Sequence, residues 1–161
     1  MPDDGVNRTL DTAILPDLLA LTGQCIAPVE SLLDAARASV RDRVVEAGKV
    51  SGPLLDQNQT AAHGLAWLAT YVEALRQMQT WAMRLHGDGR FGETEQLLLQ
   101  IAFGEYLAQI AGGIPMSQNE IIRLCDMGLP PEKQRALADA SVSTLIRVGN
   151  EYLFSGLWWI T

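Results

Sequence analysis

Between Asp56 and His86 apolar residues recur in steps of three and four: Leu65, Leu68, Val72, Leu75, Met78, Ala82 and Leu85. That spacing places them on one face of an α-helix. A second apolar row, Trp67, Tyr71, Ala74, Met78, Trp81 and Leu85, runs beside the first. Only Glu73, Arg76, Gln77, Thr80 and Arg84 remain as a narrow polar strip. A helix apolar over most of its girth is packed on two sides. The segment is therefore expected to be the spine of a helical bundle, roughly 45 Å long at 1.5 Å per residue.

The same pattern divides the rest of the chain. Asp11 is expected to cap a short helix carrying Ile14, Leu18, Leu19 and Leu21, with Pro16 in its first turns and Gly23 at its end. Pro28 is expected to open the next helix, whose stripe is Val29, Leu32, Leu33, Ala36, Val40, Val44 and Ala47. Gly48, Gly52 and Pro53 close it. After the spine, three glycines within His86–Gly92 mark a turn. A helix over Glu93–Ala111 then carries one large row, Leu99, Phe103, Tyr106 and Ile110. Its other row shrinks from Leu97 and Ile101 to Gly104, Ala108 and Ala111. Gly104 implies close approach of another helix, since glycine otherwise weakens a helix by about 1 kcal/mol.

Ser117 and Glu120 have the spacing of a capping box, which predicts a short helix holding Ile121, Ile122 and Leu124 and stopping near Gly128. Pro130 and Pro131 introduce a last helix with Ala138, Val142, Leu145, Val148 and Tyr152 inward. No strand alternation stands out. The expected fold class is all-α, a bundle of four main helices plus short ones. Residues 1–10 are expected to be flexible and 11–161 to form one domain. Trp158 and Trp159 near the end either fold back on the bundle or meet a further domain of a longer chain.

Composition narrows the function. The 161 residues are 48% hydrophobic and 19% charged, enough for a real core. A net charge of −7 with scattered basic residues argues against nucleic acid. No signal peptide opens the chain, and no apolar run approaches the ~20 residues of a membrane span, so a cytoplasmic protein is expected. Cys25 and Cys125 stand far apart in no Cys-x-x-Cys motif and are expected to be free, buried thiols.

Candidate chemistry is sparse. His63 falls in the first turns of the spine, as a cap or surface residue, and His86 at its C-terminal end, where the helix dipole favours it. Neither metal-binding spacing nor a nucleophile motif surrounds them. Glu73, Glu95 and Glu105 are single rather than paired carboxylates. No self-sufficient catalytic site is expected.

One segment, Tyr106–Asp126, resembles the C-terminal helical domain of acyl-CoA dehydrogenases. In that family a helix ends in Gln-x-x-Gly-Gly, and a glutamate-to-arginine helix start follows. Gln109, Gly112 and Gly113 match the first motif, and Glu120 with Arg123 the second. The preceding long helix and glycine turn agree, so the resemblance covers roughly residues 56–126. In the family the motif approaches the ADP part of FAD, which implies cofactor contact at Gln109, Gly112 and Gly113. This chain departs from the family, however. Ile114 and Pro115 stand where an aromatic and a third glycine are usual, and Pro115 has no N–H to donate. The second arginine and the Glu-Gly-Thr segment with the usual catalytic base are absent. The resemblance thus implies a degenerate copy of the helical domain, most like the N-terminal extension in the methylsuccinyl-CoA dehydrogenase branch. Such a module would be non-catalytic, with FAD in the parent enzyme. Its partner would be the catalytic domain of the same polypeptide or another subunit. The alternative is a free-standing homodimeric interaction protein without activity.

Overall fold

The computed structural model describes residues 14–137 and 140–156. Among them the order is α1 (Leu18–Val44), β1 (Val45–Glu46), β2 (Lys49–Val50), α2 (Gly52–Gln57), α3 (Gln59–Gly87) and α4 (Glu93–Gly112). Then follow β3 (Ile114–Ser117), β4 (Glu120–Ile122), α5 (Pro131–Ala136) and α6 (Ala140–Gly156). Four long helices with two two-stranded hairpins make an all-α bundle, as the periodicity predicts.

The spine is α3. Its core stripe is Ala61, Gly64, Leu68, Tyr71, Val72, Leu75, Gln79, Ala82 and Leu85. The second row is only half-buried at Trp67, Met78 and Trp81. α1 lies antiparallel to α3: the Thr22 hydroxyl is 2.6 Å from Gln79 Oε1, and farther along Arg76 pairs with Glu30 at 3.1 Å. α4 returns along the other side of α3, where the rings of Tyr71 and Tyr106 meet with centroids 4.7 Å apart. α6 packs chiefly on α4, whose Gly104 is buried as expected. Leu68, Leu75, Leu99, Phe103, Leu107 and Leu145 form the centre of the core.

Three expectations are corrected. The chain does not break at Gly23 and Pro28; both lie inside the single helix α1. Proline within a helix costs about 3 kcal/mol and glycine about 1. Against this, Leu18, Thr22, Cys25, Val29, Leu32, Leu33 and Ala36 bury one continuous stripe. Each large apolar side chain buried contributes about 1.5–3 kcal/mol, which outweighs the backbone penalty. Gly23 also has a packing role: a Cβ there would sit 3.2 Å from Gln79 Nε2.

The second correction concerns Ser117–Glu120. These residues do not cap a helix; they pair with each other across a hairpin, in which Ile114 also pairs with Ile122. Ile114 and Ile122 are buried while Pro115 and Ile121 face outward, a period of two that marks strands. The third is the last helix, which is not continuous from Pro131. α5 ends at Ala136, Leu137 turns into the core, and α6 begins at Ala140. The short β1–β2 hairpin was likewise not expected; Ala47 and Gly48 both have positive φ in its two-residue turn. The expectations for residues 1–10, Asp11, Ala138, Trp158 and Trp159, and for burial of Tyr152, lie outside the described residues and side chains.

Candidate functional site

The sequence-selected residues Gln109, Gly112 and Gly113 fall at the C-terminal end of α4, where the chain leaves for the β3–β4 hairpin. Gln109 is half-buried, and its Oε1 accepts a hydrogen bond from the Tyr71 hydroxyl at 2.6 Å. The Gly113 N–H donates to the Gln109 carbonyl oxygen at 2.8 Å, closing the helix. Gly113 has φ 136°, a region that favours glycine, and a Cβ there would collide with Ile121 of β4. Gly112 is exposed, with open space where its Cβ would be. The Gly113 N–H and Gln109 Oε1 are thus already committed inside the fold, and Pro115 contributes no donor.

Glu120 and Arg123 do not begin a helix. Glu120 is exposed at the start of β4, and the Arg123 N–H donates to Asp126 Oδ2 at 2.7 Å in the turn that follows. That turn buries Leu124 and Met127, which leaves Cys125 exposed between them. The expectation of two buried thiols therefore holds for Cys25 alone, and no disulfide joins Cys25 to Cys125.

Tyr71 is the residue that sequence reading missed. It joins a line of rings along α3: Trp67 Nε1–H donates to His63 Nε2 at 3.1 Å, and Trp67 stands edge-on to Tyr71 at 6.1 Å. Burial first, and the neighbouring Tyr106 hydroxyl second, push the Tyr71 hydroxyl above the usual tyrosine value. It stays protonated, as the donor to Gln109 requires. The signal in the sequence was its place on the second apolar row.

His63 stays on the surface of α3, as expected, and with Asp56 and Glu120 it borders an open depression of about 510 Å³. His86 lies edge-on to Phe91, at the rim of another depression of about 630 Å³ lined by Leu15, Leu18 and Gln96. No group of three metal-ligating side chains occurs among the described residues. On the α1–α3 side, Arg76 bridges Glu30 and Glu73 in an exposed network. The Glu73 carboxyl, held by Gln77 and then Arg76, lies below the usual range. Its exposure makes this a solvated face.

No protein-family model matches the chain. The chain is 55% identical over 131 residues to (2S)-methylsuccinyl-CoA dehydrogenase of Cereibacter sphaeroides, a match covering 79% of this chain and 24% of that enzyme. It thus spans about a quarter of the length of this curated relative. Identity of this order over most of the chain shows a relationship to an acyl-CoA dehydrogenase.

Proposed function

We propose that the bundle is a non-catalytic helical module of an FAD-dependent acyl-CoA dehydrogenase of the methylsuccinyl-CoA dehydrogenase type. It packs on the catalytic body of the same polypeptide or supports subunit association, in the cytoplasm. The reaction, removal of hydrogen from a branched dicarboxylic acyl-CoA, is then carried by residues outside these 161. The observation that carries this reading is the 55% identity to a stretch amounting to 24% of an acyl-CoA dehydrogenase. Two features support a packing role. Trp67, Met78 and Trp81 are only half-buried on α3, and Leu98 on α4 is 53% exposed. Aromatic and apolar side chains left at the surface are the material of contacts between domains.

Purification of the 161-residue chain with FAD supplied throughout tests the proposal. The expected product is colourless, with no flavin absorbance co-eluting with protein. A yellow protein with one flavin per chain contradicts the non-catalytic role. Light scattering on the same sample tests the alternative, because a monomer contradicts a free-standing homodimeric interaction protein.

A further inference from the structure

We infer that the Gln109, Gly112 and Gly113 segment is a tertiary joint that fastens the β3–β4 hairpin to the α3–α4 pair and no longer serves as a nucleotide contact. The contrast with a nucleotide contact rests on the reading of the bundle as an acyl-CoA dehydrogenase module; the joint itself rests on contacts within the fold.

Three contacts converge on it, and a fourth holds the far side of the hairpin. The Tyr71 hydroxyl reaches across from α3 to Gln109 Oε1, tying the last turn of α4 to the spine. The Gln109 carbonyl oxygen then takes the Gly113 N–H, so one residue holds both the neighbouring helix and the outgoing chain. Gly113, at φ 136°, lies flush against Ile121 of β4. On the other side of the hairpin, Ile122 sits against Gly64 of α3, where an added Cβ would be 2.5 Å from its Cγ2. The hairpin is thus held between two glycines, Gly64 within α3 and Gly113 just past the end of α4. Such close backbone approaches are what glycine permits and any other residue obstructs.

A phosphate cradle at this place needs backbone N–H groups turned outward and a backbone that can approach the ligand. Here the Gly113 N–H points back along α4, and the face of Gly113 that a ligand would approach is covered by Ile121. Pro115, two residues on, pairs with Ile121 in the hairpin and has no N–H. Of the two glycines that in the resembling family admit a cofactor, Gly113 here admits a piece of the chain itself, while Gly112 stays open to solvent.

Hydrogen–deuterium exchange on the whole 161-residue chain tests the joint at the backbone amides of residues 114–122. Tyr71→Phe removes one hydroxyl and keeps the ring, so folding is preserved. Exchange across the hairpin is expected to rise roughly two- to tenfold, the equivalent of one net hydrogen bond. Gln109→Ala is expected to give a similar rise, and the double variant no more than the larger single one, because both remove the same link. Unchanged exchange in both single variants, or fully additive effects, overturns the joint. FAD is the probe for the nucleotide arm, titrated into the native chain and into Gln109→Ala. Binding that Gln109→Ala abolishes overturns the inference. Binding that survives Gln109→Ala leaves the joint standing and overturns instead the non-catalytic role proposed above.

Discussion

Gly64 shows how much one missing side chain can decide. Replacing a glycine in a helix interior with alanine ordinarily stabilises by about 1 kcal/mol. At Gly64 the new methyl would lie 2.5 Å from Ile122 Cγ2 and 3.4 Å from Met127 Cγ. Ile122 is fully buried and β-branched, so it cannot rotate away cheaply. Overpacking of this kind costs about 1–3 kcal/mol, so the steric term wins. Gly64→Ala is expected to lower stability in urea unfolding by up to about 2 kcal/mol. In an Ile122→Ala background the same substitution is expected to stabilise. Tyr71 offers a second check, through pH. Burial holds its hydroxyl above the usual tyrosine value, so the folded state keeps the proton more tightly than the unfolded state. The stability this adds is fully present below about pH 10 and is lost as pH rises through the folded value. Tyr71→Phe should therefore flatten the alkaline limb of a stability profile; an unchanged limb contradicts the assignment. Gln109, Gly112 and Gly113 stand out in the sequence because they lie within five residues of one another. Their partner Tyr71 does not, since 38 positions separate it from Gln109 and nothing local marks the pair.

At the level of elements, local signals were followed where tertiary packing did not oppose them. α4 was legible nearly to the residue from its stripes. The spine, read from Asp56, begins as α3 only at Gln59, because Gly52–Gln57 form the separate short helix α2. The turn between α3 and α4 was also legible, and Gly89 there takes a positive φ. α1 was misjudged because Gly23 and Pro28 are local breakers, while the burial that overrides them depends on α3. This yields a prediction: Pro28→Ala removes a helix-interior proline at a half-buried position. It is expected to raise stability by about 1–3 kcal/mol, visible as a higher thermal midpoint. A lower midpoint would mean that the proline is required for the packing of α1. The β3–β4 hairpin was misjudged for a related reason. A Ser-x-x-Glu spacing serves a capping box or a tight turn equally well. The choice is made by burial of Ile114 and Ile122 against the helices, which the local sequence does not display.

Over the whole molecule, the described residues form a helical bundle. α1 is long and apolar enough to cross a membrane by length and composition. In this fold it instead lays Cys25, Val29, Leu32 and Val40 into the core, as an inner helix of a bundle does. Charged side chains pair on the α1–α3 flank, while the half-buried rings lie along the second row of α3, on the side of Tyr71 and α4. That division suits a module with one wet face and one face for a partner domain. We propose that this bundle supports an acyl-CoA dehydrogenase without performing its chemistry. Turnover of methylsuccinyl-CoA by the purified chain, with added FAD and an artificial electron acceptor, tests this. The expected rate equals that without protein. Sustained, protein-dependent reduction of the acceptor would contradict it.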